Sequence, residues 1–190
     1  MPPKSQFSAE DVVNAAVRLV QRGGAEAVSA RAVAAELKGS TMAVYHRIGS
    51  MEALLTEVQR VAQERQFASQ LRPVTGEPLL DLAIGYVAFA REEPRLFRFL
   101  FFERSRPLPA SVAKKTLALV PEALRPAMRQ VSRSTGRVAG DLDAFVLKNW
   151  IFVHGLACLV SSRVLQLDDA AVGELLMDAG AAFSATQSRG

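Results

Sequence analysis

The sequence predicts an all-α protein, with an N-terminal three-helix region followed by a helical C-terminal region. Apolar residues recur at spacings of three and four, which is the period of one face of a helix. Short Gly, Pro and Ser clusters separate these stretches, and no segment shows the alternation typical of a strand. Of the 190 residues, 49% are hydrophobic and 22% are charged, which is typical of a folded chain with a full core.

The first fifty residues predict three helices and the turns between them. Ser8 begins a capping box for the first helix, which the Gly23-Gly24 pair ends. A second helix begins after Ser29, whose hydroxyl is a good N-cap. Ser40 caps a short third helix over residues 41–47, so the second and third helices are joined by a tight turn.

The third helix is predicted to have one buried side and one polar, exposed side. Val44 and Ile48 are four residues apart and are expected to face inward. The side chains left on the outside are Thr41, Met42, Tyr45, His46 and Arg47. A short helix with such a face, held by a tight turn, has the chemistry needed to contact base edges in a major groove.

This region resembles the DNA-binding region of TetR-family transcriptional regulators. The resemblance lies in Leu-Lys-Gly-Ser (37–40), Ala-Val-Tyr-His-Arg-Ile (43–48) and Ser-Met-Glu-Ala-Leu-Leu (50–55). Two departures stand out. The turn glycine is displaced by one position, so Lys38 stands where a left-handed backbone is usual, at a cost of roughly 1 kcal/mol. Met51 replaces the usual lysine, so one phosphate contact of the family is expected to be absent.

The resemblance covers residues 9–57, and it implies DNA contacts for ten of them. Those expected to hold phosphates are Ser29, Arg31, Lys38, Ser40, Tyr45 and Arg47. Those expected at base edges are Thr41, Met42, Ala43 and His46. Met42 and Ala43 have only apolar contacts to offer, and the methyl group of thymine is their natural partner.

Further helices are predicted along the rest of the chain. Their expected bounds are 50–71, 78–93, a short helix from Pro94, 110–120, 121–135, 141–165 and 168–186. We therefore predict a helix-turn-helix DNA-binding domain over 1–50, a connecting helix over 50–71, and a helical effector-binding and dimerisation domain over 71–190.

The last two predicted helices carry more apolar surface than one intrachain contact would cover, which favours a four-helix dimer interface. TetR-like proteins dimerise through their last two helices, so the resemblance implies the same homodimer. It also implies a small-molecule site in the C-terminal domain, for an apolar or aromatic effector of unknown identity. The residues expected to line that site are Tyr86, Phe89, Phe101, Trp150 and His154. By itself, His154 is more typical of a core or dimer-interface histidine with a satisfied hydrogen bond than of a ligand contact.

Composition bounds the function. One Cys and two His exclude a structural Cys/His metal cluster, and no phosphate-binding glycine loop or nucleophile motif occurs, so we expect no cofactor, no metal and no enzymatic activity. The lone Cys favours a reducing cytoplasm, and polar residues interrupt the longest apolar run, 145–165, so we expect no membrane span.

The net charge of +4 does not by itself indicate DNA. Residues 61–137 hold thirteen Lys/Arg against seven Asp/Glu, whereas residues 1–60 hold seven against six. The motif spacing and the TetR resemblance, rather than the charge, imply a ligand-responsive repressor that binds an inverted repeat of double-stranded DNA as a dimer. Two alternatives stay open at this point: an interaction module that uses the basic segment 91–137, and a small helical enzyme.

Overall fold

The computed structural model describes residues 7–105, 107, 115–135 and 139–185. Within these residues the all-α prediction is confirmed, because every regular element is a helix or a helical turn. The described chain divides into two compact units. Unit 1 contains residues 7–65 and 93–105, and unit 2 contains residues 66–92 together with the described residues from 107 onward.

Unit 1 is built around the three predicted N-terminal helices. Its helices are α1 (Ala9–Gly23), α2 (Ala30–Glu36), α3 (Thr41–Ile48), the first three quarters of α4 (Met51–Gln70) and the short α6 (Pro94–Arg98). The capping box at the start of α1 is confirmed, since the Asp11 N–H donates to Ser8 Oγ (3.1 Å) and the Ser8 N–H donates to Asp11 Oδ2 (2.7 Å). The Ser8 hydroxyl also donates to Asp11 Oδ2 (2.8 Å), and the two hydrogen bonds that Ser8 donates to this carboxylate, the backbone one first, lower the pKa of the Asp11 carboxyl.

The segment 93–105 lies in unit 1, although the sequence analysis placed it in the C-terminal domain. After α6 the backbone forms a π-helical turn over Phe99–Glu103, where a continuous short helix was predicted. Phe97 and Phe99 are fully buried, and the Glu103 carboxylate accepts a hydrogen bond from the backbone N–H of Ala25 (3.0 Å). Burial of these rings against the N-terminal helices is the physical reason that the segment belongs to unit 1.

Unit 2 contains the end of α4 and four helices, α5 (Pro78–Glu92), α7 (Arg125–Thr135), α8 (Ala139–Ser161) and α9 (Asp169–Ala185). Helix α5 is buried on almost every side. A helix predicted over 110–120 is replaced at Thr116–Leu119 by a 3-10 turn, and its first five residues lie outside the described residues. The buried core of this unit joins α5, α7 and α8 through Leu82, Leu124, Met128, Leu142, Phe145 and Val146.

A very close crossing joins α5 to the last turn of α4. The Ser69 hydroxyl donates to the Gly85 carbonyl oxygen (2.9 Å), and the Gln70 side-chain amide donates to the Leu82 carbonyl oxygen (3.2 Å). A Cβ atom on Gly85 would lie 2.5 Å from Gln70 Cα. Only glycine permits the two backbones to approach this closely.

Among the described residues, one stretch, Asp141–Ser161 in α8, is long and apolar enough to cross a membrane by length and composition. A core helix of a water-soluble protein meets the same criterion, so this feature is weak evidence for a span. In the structure α8 packs against α5 and α9.

Candidate DNA-binding site

The outward face of α3 is where the sequence analysis placed it. Val44 is fully buried, whereas Met42 is 80% exposed and Tyr45 is 44% exposed. Thr41 and His46 are exposed as well. Because residues three and four apart are neighbours on a helix, these four exposed side chains form one continuous surface, which we call the α3 face.

Two serines predicted as caps are confirmed in that role. The Ser29 hydroxyl oxygen accepts a hydrogen bond from the backbone N–H of Ala32 (3.1 Å), and the Ser40 hydroxyl oxygen accepts one from Ala43 (3.2 Å). Both serines are exposed. A hydroxyl that accepts such a bond still has its own proton to donate, so each can cap its helix and also donate to a second acceptor.

The turn between α2 and α3 contains the strained residue that the sequence predicts. Lys38 has a φ of 52°, in the left-handed region that side chains other than glycine rarely adopt. The Gly39 N–H donates to the Ala34 carbonyl oxygen (2.8 Å) and closes the end of α2. Phe7 is buried, and its ring lies so close to Gly39 that an added Cβ would be 2.5 Å from Phe7 Cε1.

An ion-pair network joins α1 to α2 beside this turn. Glu36, at the end of α2, accepts from Arg22 Nη2 (2.5 Å) and from Arg18 Nε (3.0 Å). These hydrogen bonds, the one from Arg22 first, lower the pKa of the Glu36 carboxyl. All three residues lie in unit 1, and their pairing fixes α2 against α1 at its C-terminal end.

The start of α4 is held in a similar way. Arg104 binds both carboxylate oxygens of Glu52, at 2.5 and 3.1 Å, which is the bidentate geometry that makes arginine–carboxylate pairs specific. Ser50 caps α4 by accepting from the Ala53 N–H (3.1 Å). The helix that follows α3 is therefore fixed at its first turn by a residue about fifty positions later in the chain.

The predicted effector residues divide between the two units. Tyr86 and Phe89 of α5 are buried, and Trp150 and His154 of α8 are half-buried; all four lie in unit 2. Phe101 lies instead in unit 1, where its ring centroid is 4.9 Å from that of Phe97. Phe101 and the other four residues therefore belong to different units.

Tyr86 and His154 form a buried polar pair in unit 2. The Tyr86 hydroxyl and His154 Nδ1 are 2.9 Å apart. Burial raises the pKa of Tyr86 strongly, against a smaller opposing effect of a hydrogen bond with Trp150. Burial also lowers the pKa of the His154 imidazole, so both groups are uncharged at neutral pH.

The chemistry of its members sets only part of the hydrogen bonding in this cluster. The indole N–H of Trp150 only donates, so in its hydrogen bond with Tyr86 the tyrosine oxygen is the acceptor. That oxygen keeps a second lone pair and its own proton, so it donates to His154 Nδ1 in one tautomer of the imidazole and accepts from it in the other. Cys158, one helical turn further along α8, is half-buried, and burial raises the pKa of its thiol.

Three arginines in the described part of the basic segment 91–137 are paired inside the protein. Arg91 pairs with Asp169 (2.7 Å) and Arg98 with Glu103 (3.3 Å), in addition to the Arg104 pair with Glu52. Three arginines of α7 are exposed: Arg125, Arg129 and Arg133. Among the described residues, no group of three His, Cys, Asp or Glu side chains is placed to hold a metal ion.

Three contributors to the site were not predicted. Phe7 precedes the first predicted helix, and its signal was an aromatic residue directly before a capping box. Glu36 and Arg104 had no local signal, because their partners are distant in sequence. Pairings of this kind depend on how helices pack and have no fixed spacing.

Unit 1 consists of helices and exposes the polar face of its third helix, and α4 links it to a separate helical unit. This arrangement defines a class: DNA-binding transcriptional regulators of the helix-turn-helix type. Comparison with family models identifies the family within that class. Residues 12–58 match bacterial regulatory proteins of the tetR family, and residues 79–181 match the tetracyclin repressor-like C-terminal domain. The chain belongs to the TetR family of transcriptional regulators.

Solved structures share this fold at low sequence identity. A TetR-like transcriptional regulator from Rhodococcus sp. RHA1 is 17% identical, with a TM-score of 0.57 over 90% of this chain and 92% of that one. A protein of unknown function from the same organism is 20% identical, with a TM-score of 0.67 over 96% and 97%. A regulator assigned to the TetR family, from Vibrio parahaemolyticus, is 21% identical, with a TM-score of 0.56 over 90% and 95%. A search of curated proteins found no match.

Proposed function

We propose that this regulator is a homodimeric, ligand-responsive repressor of the cytoplasm that binds an inverted-repeat operator. The observation that carries the proposal is the α3 face, which combines hydroxyl, thioether, phenol and imidazole groups on one exposed surface. One such helix contacts too few base pairs to specify a site. A two-fold dimer places two of them on half-sites that are separated by about one helical turn or a multiple of it.

Base contacts are assigned to Thr41, Met42, Ala43 and His46. Thr41 and His46 offer hydrogen-bonding groups, whereas the exposed Met42 and the half-buried Ala43 suit the thymine methyl. This mixture favours half-sites that contain A·T pairs. Substituting Met42 should therefore change the preferred base more than the overall affinity.

Phosphate contacts are assigned to Ser29, Arg31, Lys38, Ser40, Tyr45 and Arg47. All six are exposed in unit 1. Ser29 and Ser40 lie at the N-termini of α2 and α3, where backbone N–H groups and the helix dipole also favour a phosphate. Contacts of this type fix the protein on the duplex without reading sequence.

The dimer is proposed to form through α8 and α9. Along α8, Ile151 (61% exposed), Gly155 and Leu159 (42% exposed) follow one another at four-residue spacing, and an added Cβ on Gly155 would meet nothing within 4 Å. Leu175 on α9 is 40% exposed. Because α8 and α9 pack on each other in the chain, two copies of the pair would form a four-helix bundle.

The dimer is tested with Ile151→Glu and Leu159→Glu. Each puts a charge on the apolar stripe, and sedimentation should show a monomer at micromolar concentration. Val164→Glu is the matched control, because Val164 is 69% exposed but follows the end of α8; this variant should remain dimeric. Dimers in all three variants would place the interface elsewhere.

The effector is proposed to act on unit 2, at Tyr86, Phe89, Trp150 and His154. These aromatic groups are uncharged or held neutral, so an apolar or aromatic effector without a net charge suits them best. Release from DNA requires that the effector bind more tightly to a state of the dimer that fits adjacent grooves poorly. Phe101 is left out of this assignment because it lies in unit 1.

DNA binding is tested by fluorescence anisotropy with duplexes selected from the DNA upstream of the coding region. We expect an inverted repeat to bind more tightly than a scrambled duplex, with an affinity that falls steeply as salt rises. Arg31→Gln should reduce the slope of log K against log salt by about 0.9 for each phosphate that a protomer no longer binds. Arg129→Gln makes the same chemical change on the exposed face of α7 and should leave that slope unchanged. Equal affinity for every duplex would refute the proposal.

A further inference from the structure

We propose that Phe7 is a positioning residue for DNA recognition, whose ring holds the α2–α3 turn in the conformation that presents the α3 face. This inference rests on the proposed function, because it concerns how the DNA-reading helix is held. Phe7 lies outside α3 and has no assigned contact with DNA. Its role would be exerted through the turn residues Lys38 and Gly39.

The first argument comes from the unusual order of these two turn residues. Lys38 has the left-handed backbone, with a φ of 52°, whereas Gly39 is not among the residues with positive φ. The left-handed backbone that glycine adopts most easily is therefore at position 38, whereas the glycine is at position 39. The φ angle of residue 39 does not explain why this residue is a glycine.

The contact with Phe7 supplies that reason. A Cβ on residue 39 would lie 2.5 Å from Phe7 Cε1, which is too short for a real contact, and 3.1 Å from Cζ, which is tighter than most. The ring is 9% exposed, so moving it outward would return apolar surface to water. Glycine at position 39 thus makes room for a ring that covers the turn.

The second argument is that Phe7 itself is firmly anchored. The next residue, Ser8, is tied to Asp11 by the three hydrogen bonds of the capping box, so the backbone that carries the ring is part of the start of α1. The ring therefore links the N-terminus of α1 to the α2–α3 turn. The Glu36 pairs with Arg18 and Arg22 link the same two helices at another point.

The consequence for DNA follows from the strain at Lys38. A lysine with a left-handed backbone persists only where its surroundings hold it. The Phe7 ring, which packs against the adjacent Gly39, is such a restraint. Without the ring, Lys38 would relax and α3 would change its angle to α2. Contacts to base edges require that α3 be placed accurately, whereas flexible lysine and arginine side chains can still reach the phosphates after α3 has shifted. Loss of Phe7 should therefore reduce specificity more than general affinity for DNA.

The packing contact is tested without DNA by a double-mutant cycle of urea unfolding with Phe7→Ala, Gly39→Ala and the double variant. Each single variant should unfold at lower urea than the wild type. The double variant should be destabilised clearly less than the sum of the two single effects, because the methyl group added at position 39 then occupies space that the ring has left. Strictly additive effects would overturn the proposed contact.

The positioning role is tested by the ratio of dissociation constants for a scrambled duplex and for the operator, at one salt concentration. Phe7→Ala and Gly39→Ala should each reduce this ratio about tenfold, equivalent to ~1.4 kcal/mol, and Phe7→Leu should restore most of it. Affinities for both duplexes that fall in equal proportion would assign Phe7 a purely structural role and overturn the proposal. If Phe7→Ala does not fold, Phe7→Leu and Gly39→Ala decide by the same criterion. A wild-type protein without any preferred duplex would instead refute the proposed function, and the unfolding cycle would still decide the contact.

Discussion

Gly85→Ala should destabilise unit 2, because α4 and α5 cross with their backbones in contact. The new Cβ would overlap the Ser69 carbonyl oxygen and lie 2.5 Å from Gln70 Cα, where ordinary contacts begin at 3.4 Å. The helices would have to separate by about 1 Å, which stretches the hydrogen bond from Ser69 to Gly85. Overpacking costs roughly 1–3 kcal/mol and a broken hydrogen bond about 1, while alanine returns about 1 through helix propensity.

The expected net loss is therefore roughly 1–3 kcal/mol, measured by urea unfolding at fixed protein concentration, since a dimer's stability depends on concentration. Gly173→Ala in α9 is the matched control: its Cβ would be 3.8 Å from Ile84 Cδ1, an ordinary contact. This control should gain up to about 1 kcal/mol from helix propensity. If Gly85→Ala unfolds at the same urea concentration as Gly173→Ala, the argument from close approach fails.

Three further changes test the turn and the buried pair. Lys38→Gly should stabilise the protein by up to about 1 kcal/mol in urea unfolding by relieving the left-handed lysine, yet reduce the salt slope of DNA binding; an unchanged slope would remove Lys38 from the phosphate contacts. Because burial lowers the pKa of His154 below its ordinary 6.5, the unfolded chain binds this proton first as pH falls. The free energy of unfolding should thus be at its full value above about pH 7 and decline below pH 6.5, by at most ~1.4 kcal/mol per pH unit. His154→Gln should lose this decline, whereas Tyr86→Phe, which keeps His154 buried, should retain it. Trp150→Ala should raise the effector concentration that releases DNA about tenfold, or ~1.4 kcal/mol, and unaltered release would exclude Trp150.

The helices of unit 1 were predictable because their signals are local. Ser8, Ser29, Ser40 and Ser50 each cap a helix that begins at the next residue, and a cap acts within three residues of itself. The left-handed backbone at Lys38 was predictable for the same reason. Boundaries such as that of α5 followed from the apolar pattern and from Pro78 and Pro94.

The placement of residues 93–105 in unit 1 was not predictable in this way. The segment follows α5 directly, so sequence order suggested the C-terminal domain. The side chains of Phe97 and Phe99 are instead buried in unit 1, among residues that are distant in sequence. The α3 face shows the opposite case: its exposed residues lie within one short helix, so spacing alone predicted which side chains point outward.

The path of the chain between the two units bears on how the binding of an effector would affect α3. The chain passes between the units at 65–66 within α4, at 92–93 and again after residue 105, so each unit is built from two separate stretches of the chain. After α5, Glu93 accepts hydrogen bonds from Gln21 (2.8 Å) and Arg65 (3.3 Å), all within unit 1. A change in α5 therefore has two routes into unit 1: a covalent one back along the chain through α4 to the end of α3, and one through Glu93, which is hydrogen-bonded to Gln21 of α1. An effector that favours one state of α5 would act on α1 and α4 through these two attachments.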